Sequence, residues 1–453
     1  MSSSARSLPV RPRYDGMETT DSPCVLLLDL SHSALAGIDL LSFTTTPKFK
    51  GIKNLPPGLH FVFCSTSSDL SVRHGAWFEV PANSDQLHPL FVKRWNASTE
   101  QLEDVTDVAE ILRWRANLGS IWREGLSPYR QTASQEATEE KSDWSLLTDR
   151  ITASLLSKLL GETPNHWSIT SASSSKEDLE VIPGISMSSS VMQAEKELGF
   201  LPIDLKRPWR EGATGRERTE AALDHSWYLR ELLEKHCLGR SFEHILGEMQ
   251  FCFLMVLTLN NYSCLEQWKR LLSLLLTCKS AVSDFSAFYV KFLAQLRVQL
   301  QNCQVAEGGL FDLADESGSL LKGLLHKFKF GLRDISGAGK SDVMDELDEL
   351  ENFLRDEHGW ELDSNFVRKG LLELEDGEKV EMDVADFDEE DESGEYAPTV
   401  VQLTEEQMEE LGIVTVDPRT TQAGHAQGIT DPKADDHMES EDDQDLEDMD
   451  TRY

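Results

Sequence analysis

Phe242–Leu259 reads FEHILGEMQFCFLMVLTL, and the environment of this stretch decides the fold. It is apolar nearly all round, which suits a membrane span or a helix buried on most sides. Its densest part, Phe251–Leu259 (FCFLMVLTL), falls far short of the roughly 20 apolar residues that a bilayer requires. The stretch therefore reads as the central helix of a soluble core, and its neighbours agree. Downstream, Leu265, Trp268, Leu271, Leu272, Leu275 and Leu276 fall on one helical face. Phe285, Phe288, Tyr289, Phe292, Leu293, Leu296 and Leu300 fall on another, at i, i+3, i+4, i+7 spacing. Upstream, Ala222, Leu229, Leu232 and Leu233 share a face, and Leu320–Leu332 and Ser341–Leu354 add two more helices. Helices joined by short links predict an all-α domain of packed antiparallel pairs over 218–363, with no fixed internal repeat length.

Towards the N-terminus the period changes. CVLLLDL from Cys24, LHFVFCS from Leu59, AWFEV from Ala76 and PLFVKRW from Pro89 are short apolar runs separated by Gly, Pro, Asn and Ser. That is the pattern of a β-rich domain. Val105–Leu118 and Trp144–Leu160 have helical spacing within it, and 131–142 and 171–179 read as polar loops. The expected fold class is α+β. Residues 1–20 are expected to lack order, 21–168 to form the β-rich domain, and 169–217 to be a linker with a basic, Trp-containing segment. The helical domain follows over 218–363, then an acidic linker over 364–395, a strand over 396–403 and an acidic disordered tail over 404–453.

The 453 residues carry a formal net charge of −37, much of it in residues 371–453, with 29 Asp and Glu against 4 Lys and Arg. This balance repels a phosphate backbone at long range, so direct RNA contact is not favoured. Seven cysteines without a CxxC spacing argue against a disulfide framework or a zinc site. Met1–Arg13 is rich in Ser, Arg and Pro without an apolar core, unlike a secretory signal. A soluble protein of the cytoplasm or nucleus is expected, with no membrane partner. In that setting the glycosylation patterns at Asn96 and Asn261 carry no meaning.

Gly337-Ala338-Gly339-Lys340-Ser341 is the nearest approach to a phosphate-binding loop. A P-loop needs a glycine five positions before its Gly-Lys-Ser, so that successive backbone N–H groups surround the phosphates. Asp334 stands there instead. The alternative reading is a helix stop followed by a new helix, with Ser341 as N-cap and Asp342 in the first turn. His60 and His74 are not accompanied by a nucleophile elbow, and no HExxH or HxH spacing occurs. They read as structural, and neither a catalytic group nor a cofactor is expected. Two basic clusters contain aromatics: Lys48, Lys50 and Lys53 around Phe49, and Lys206-Arg207-Pro208-Trp209-Arg210 running on to Arg216 and Arg218. Such clusters can stack on RNA, but the overall charge favours protein contact. Finally, Tyr396–Leu403 (YAPTVVQL) is a β-branched island between acidic segments, with no neighbour in sequence to pair with.

Gly37-Ile38-Asp39, Pro47-Lys48-Phe49-Lys50-Gly51-Ile52-Lys53, Pro56-Pro57-Gly58 and His60 together resemble the N-terminal signature of the A1 cistron splicing factor family. Arg94-Trp95, Arg115–Leu118, Pro128-Tyr129 and Glu211–Thr214 continue the likeness in order. Leu246–Phe251 (LGEMQF) and Gln267–Leu272 (QWKRLL) are similar to its helical segments, and Trp360 and Ala397–Val401 to its C-terminal end. The sequence departs at Phe43, where the family usually has Trp, at Thr46 in place of Gly, and in the acidic additions 369–395 and 404–453.

The resemblance implies a β-sandwich-like domain followed by a VHS-like helical domain, without enzymatic activity. It also implies a role in assembly of the U5 small nuclear ribonucleoprotein (U5 snRNP). There the family binds the large central U5 protein near its RNase H-like and Jab1/MPN-like domains, among other precursor components, and keeps the helicase off until maturation. Thr399, Val400, Val401, Gln402 and Leu403 are then the partner-binding strand, adding to a sheet edge. Lys48, Phe49, Lys50 and Lys53 are the exposed part of a docking surface. Ordering each strand residue costs about 1–2 kcal/mol, against about 1 kcal/mol for each main-chain bond gained. The strand therefore needs side-chain pockets and tethering to a folded body.

Overall fold

A computed structural model describes residues 22–66, 71–82, 88–130, 143–161, 167–175, 178, 197–303, 316–333, 335, 339–360, 362, 369–373 and 379–383. The first sheet has the order β8(Gln101–Asp104), β7(Leu90–Asn96), β1(Cys24–Leu28), β4(Gly51–Lys53), β9(Leu126–Pro128). The second has the order β10(Trp167–Thr170), β6(His74–Val80), β5(Gly58–Ser65), β2(Leu35–Ile38), β3(Leu41–Thr44). They pack face to face through Val25, Leu27, Ile52 and Trp95 of one and Ile38, Val62, Cys64, Ala76 and Phe78 of the other.

The remaining faces are covered as well. Cys24, Leu26 and Leu28 meet α1(Val108–Ile121) through Leu118, together with Trp122 just beyond it. All five β1 residues are thus buried, and both faces of the strand need apolar side chains. On the second sheet, Phe61, Phe63, Trp77 and Trp167 point away from the sandwich into the helical core. The Trp77 ring lies 5.6 Å from Trp144, 5.0 Å from Phe61 and 6.2 Å from Phe251. Gly37, opposite Phe63 in the β2–β5 register, is needed there, because a Cβ would come within 2.2 Å of that ring.

The helical region comprises α4(Gly215–Leu223), α5(Ser226–Lys235), α6(Phe242–Leu259), α7(Tyr262–Thr277), α8(Lys279–Asp284), α9(Ser286–Gln301), α10(Glu316–Arg333) and α11(Lys340–His358). Helix α6 has the length and apolarity of a membrane span, yet nearly every residue from His244 to Leu259 is buried. It ends at Asn260, whose left-handed φ of 56° turns the chain. Asn261 then caps α7, its side-chain oxygen accepting from Cys264 N–H at 2.8 Å. Its amide donates to the carbonyls of Thr170 (2.9 Å) and Ser173 (2.8 Å), tying this corner to β10. The nitrogen that a glycosylation pattern would offer is therefore occupied and buried.

Several elements differ from the sequence expectation. Trp144–Leu160 is two helices, α2(Asp143–Thr148) and α3(Ala153–Leu160), because Thr152 caps the second by accepting from Leu155 N–H. Ala222 does not share a helix with Leu229. Asp224 separates α4 from α5, accepting from Ser226 N–H at 3.0 Å and from Ser280 N–H at 3.0 Å, so that it receives first-turn N–H groups of both α5 and α8. Burial works against the Asp224 charge, but bonds from Ser226 and Ser280 outweigh it and hold its pKa below the usual carboxylate range. Within the expected linker, Leu198, Leu201 and Ile203 are buried in the main core. In the expected acidic linker, β11(Lys369–Glu373) and β12(Lys379–Asp383) pair antiparallel, with Lys369 opposite Asp383 and Glu373 opposite Lys379 in the register. This hairpin belongs to a second unit, residues 365–453.

Candidate functional site

The stretch PKFKGIK follows β3 and forms β4. Gly51 is forced: a Cβ there would lie 2.1 Å from the Val25 carbonyl oxygen. Of the four residues expected on an exposed docking surface, only Lys48 fits that description, 3.9 Å from Glu124 with both side chains 79% exposed. Phe49 is half-buried against the inter-sheet core, its ring 5.1 Å from Phe43. Lys50 is half-buried, its backbone N–H bonded to the Gly125 carbonyl and its carbonyl to Leu27 N–H. Lys53 overturns the expectation, being only 6% exposed. Its ammonium donates to the Trp122 carbonyl at 3.1 Å and lies 5.3 Å from that indole centroid. A central strand with both faces covered leaves a lysine room only where a carbonyl and an aromatic face receive its charge.

The other signature residues converge at one end of the sandwich. His60 Nδ1 lies 2.8 Å from Asp39 Oδ2, and Nε2 lies 2.9 Å from the Pro56 carbonyl oxygen. Tyr129 O–H donates to the same Asp39 oxygen at 2.6 Å, and Phe61 N–H to the other at 2.9 Å. Burial alone would lower the His60 pKa, but the Asp39 carboxylate, its hydrogen bond and the Pro56 carbonyl together raise it above the ordinary imidazole value. A cleft of about 520 Å³ borders this cluster, with Pro56–His60 and Tyr129 on one wall and Trp144, Thr148 and Thr152 on the other.

A second convergence joins the α2–α3 segment and Leu201 to the helical core. Glu248 of LGEMQF is fully buried and accepts from Leu201 N–H at 2.9 Å and from the Gln267 amide at 2.8 Å. Gln250 accepts from Arg150 N–H at 2.9 Å and donates to Asp149 at 2.7 Å and to the Leu146 carbonyl at 3.1 Å. Trp268 of QWKRLL donates to Gln299 at 3.0 Å. Lys158 of α3 reaches across to the His236 carbonyl at 2.6 Å, and burial pushes its pKa down. Sequence reasoning recognised these two motifs without assigning their contacts, since their partners stand as far as 104 positions away.

The remaining candidates resolve into local structure. Gly339 is the N-cap of α11 at φ 95°, so Lys340 and Ser341 are helical and Ser341 is not the cap. The preceding described element is a helix, α10, and Lys340 Nζ donates to the Arg333 carbonyl at 3.0 Å. Among the described residues here, helix is followed by helix, and no strand feeds a phosphate loop. In the second basic cluster, Arg210 pairs with Glu217, Arg216 with Glu220 at 2.9 Å, and Arg218 donates to the Ala213 carbonyl at 3.0 Å. Much of its charge is thereby satisfied within the cluster. Burial pushes the Cys24, Cys237 and Cys303 thiols up to about 12. Among the described residues no group of three or more His, Cys, Asp or Glu is placed to hold a metal. Thr399, Val400, Val401, Gln402 and Leu403 lie outside the described residues.

The fold and these sites define an α+β protein whose recognisable motifs are joints between layers. Residues 21–161 match the family model for the AAR2 N-terminal domain, and residues 200–363 that for the AAR2 C-terminal repeat region. The chain belongs to the AAR2 family. The mouse protein AAR2 homolog is 29% identical over 309 residues, covering 61% of this chain and 74% of that protein. The Caenorhabditis elegans homolog is 26% identical over 361 residues, covering 74% of this chain and 94% of its own length. The Saccharomyces cerevisiae relative, named A1 cistron-splicing factor AAR2, is 24% identical over 264 residues, covering 54% of this chain and 67% of that protein.

Proposed function

We propose that this chain is a pre-mRNA splicing factor that acts in U5 snRNP assembly by protein contact. Family membership across both the sandwich and the helical region carries the reading, and the name of the yeast relative supports the process. The commitment of the signature residues to packing and internal hydrogen bonds favours a binding scaffold over a reaction centre. In this reading the chain binds the large central U5 protein at its RNase H-like and Jab1/MPN-like domains and holds the helicase off the precursor, in the cytoplasm or nucleus. Thr399–Leu403 adds as a strand to a sheet edge of the partner. The folded unit supplies the second contact that the cost of ordering the strand demands.

The test is a binding titration between the full chain and the purified central U5 protein. Deleting 396–403 weakens binding at least tenfold, and the isolated peptide binds poorly. An unchanged affinity after the deletion would sink the strand. A tagged chain that recovers no U5 components from cells would remove the whole reading.

A further inference from the structure

The end of the sandwich holds an imidazole with an acceptor at both nitrogens. The Pro56 carbonyl can only accept, and the Asp39 oxygen opposite Nδ1 already receives the Tyr129 hydroxyl proton. In either neutral tautomer one ring nitrogen turns a lone pair towards an acceptor oxygen, whereas the imidazolium donates to both. That opposition of lone pairs would be costly here, because His60 is 1% and Asp39 0% exposed. Asp39 itself sits at φ 55°, and its side chain holds the β2–β3 turn by accepting from Phe61 N–H. Pro56 and Pro57 have no N–H to give to a ladder, so the bond from His60 to the Pro56 carbonyl adds a side-chain tie between this turn and β5. Among the described residues, Asp39 from the β2–β3 turn and Tyr129 from beyond β9 are the titratable groups in contact with the ring, and Glu79 of β6 lies exposed at the rim of the same cleft. The uncharged Phe78 ring stands beside it at 5.7 Å.

We propose that His60 is a fixed imidazolium whose second proton latches the Pro56–Gly58 turn onto the end of the sandwich, and that losing this proton releases the turn and widens the cleft facing Trp144 and Thr152. Because the folded ring holds its proton more tightly than the unfolded chain, the stabilisation is complete below the unfolded value of about 6.5. It is lost as pH rises through the raised folded value.

Nitrogen-resolved NMR of the full chain with labelled histidine, titrated from pH 6 to 9, tests this. The His60 signal is identified by its loss in H60Q. If H60Q does not fold, Y129F shifts the same signal while leaving both ring partners in place. The expected result is a ring protonated on both nitrogens at pH 6.5, with the Gly58 and Leu59 amide signals moving at the same midpoint when it deprotonates. A single neutral tautomer at pH 6.5 overturns the proposal, as does a ring titration that leaves Gly58 and Leu59 unmoved.

Discussion

The two faces of the second sheet bury their side chains in different ways. Val62, Cys64, Ala76 and Phe78 meet the first sheet in a small core closed at one end by His60, Asp39 and Tyr129. Phe61, Phe63, Trp77 and Trp167 open without a break into the large helical core, through Trp144 and Phe251. The helical region is therefore not appended to a finished sandwich. It supplies the second side of a sheet that would otherwise expose four large aromatics to water, about 25 cal/mol for each Å² of apolar surface.

The largest expected effect breaks that comparison directly. Phe251→Ala removes the helical side of the shared core and costs about 3–5 kcal/mol. Urea unfolding followed by tryptophan fluorescence and by far-ultraviolet dichroism will show one transition at a lowered midpoint. Two separated transitions would mean that the faces of the sheet belong to independent units. The next effect concerns the polar seam. Glu248→Ala leaves Leu201 N–H and the Gln267 amide without their buried acceptor and costs about 2–3 kcal/mol, read as a lowered urea midpoint. Restoration by Glu248→Asp without loss would show that position and length do not matter there.

Smaller effects sharpen the contrast within PKFKGIK. Lys53→Ala removes a charged donor from a buried carbonyl and an aromatic face and costs about 2 kcal/mol, measured by the same unfolding curve. Lys48→Ala removes an exposed ion-pair partner and changes stability by less than about 0.5 kcal/mol. Equal effects of the two lysines would show that burial does not separate them.

Much of the architecture was legible before the structure. The strands β1, β5, β6 and β7 announce themselves as apolar runs, and α6, α7 and α9 as helices of clear period, because burial acts on whole faces of long elements. The short strands β2, β3, β4, β9 and β10 were not legible, since three or four residues hold too little pattern to reveal a period. The break between α2 and α3 was missed because Thr152 looks no different from any threonine in a helix until its hydroxyl is seen accepting from Leu155 N–H. Lys53 was misplaced for a related reason: a lysine is exposed by default, and only a carbonyl and an indole brought from 69 positions away make a buried site for it.

The sequence by itself determined that the chain is α+β, that Phe242–Leu259 is a core helix, and which family signature it carries. The first two follow from composition and periodicity, which report burial one element at a time, and the third from the resemblance of motifs such as PKFKGIK, LGEMQF and QWKRLL, taken in order. Only the tertiary structure decided what the signature residues do. It sets Tyr129 against Asp39, 90 positions apart, and Gln250 against Asp149, 101 positions apart. Hydrogen bonds between such distant groups depend on ångström-scale placement that no local pattern encodes. The residues that identify the family therefore became intelligible as joints only once the layers they join were in place.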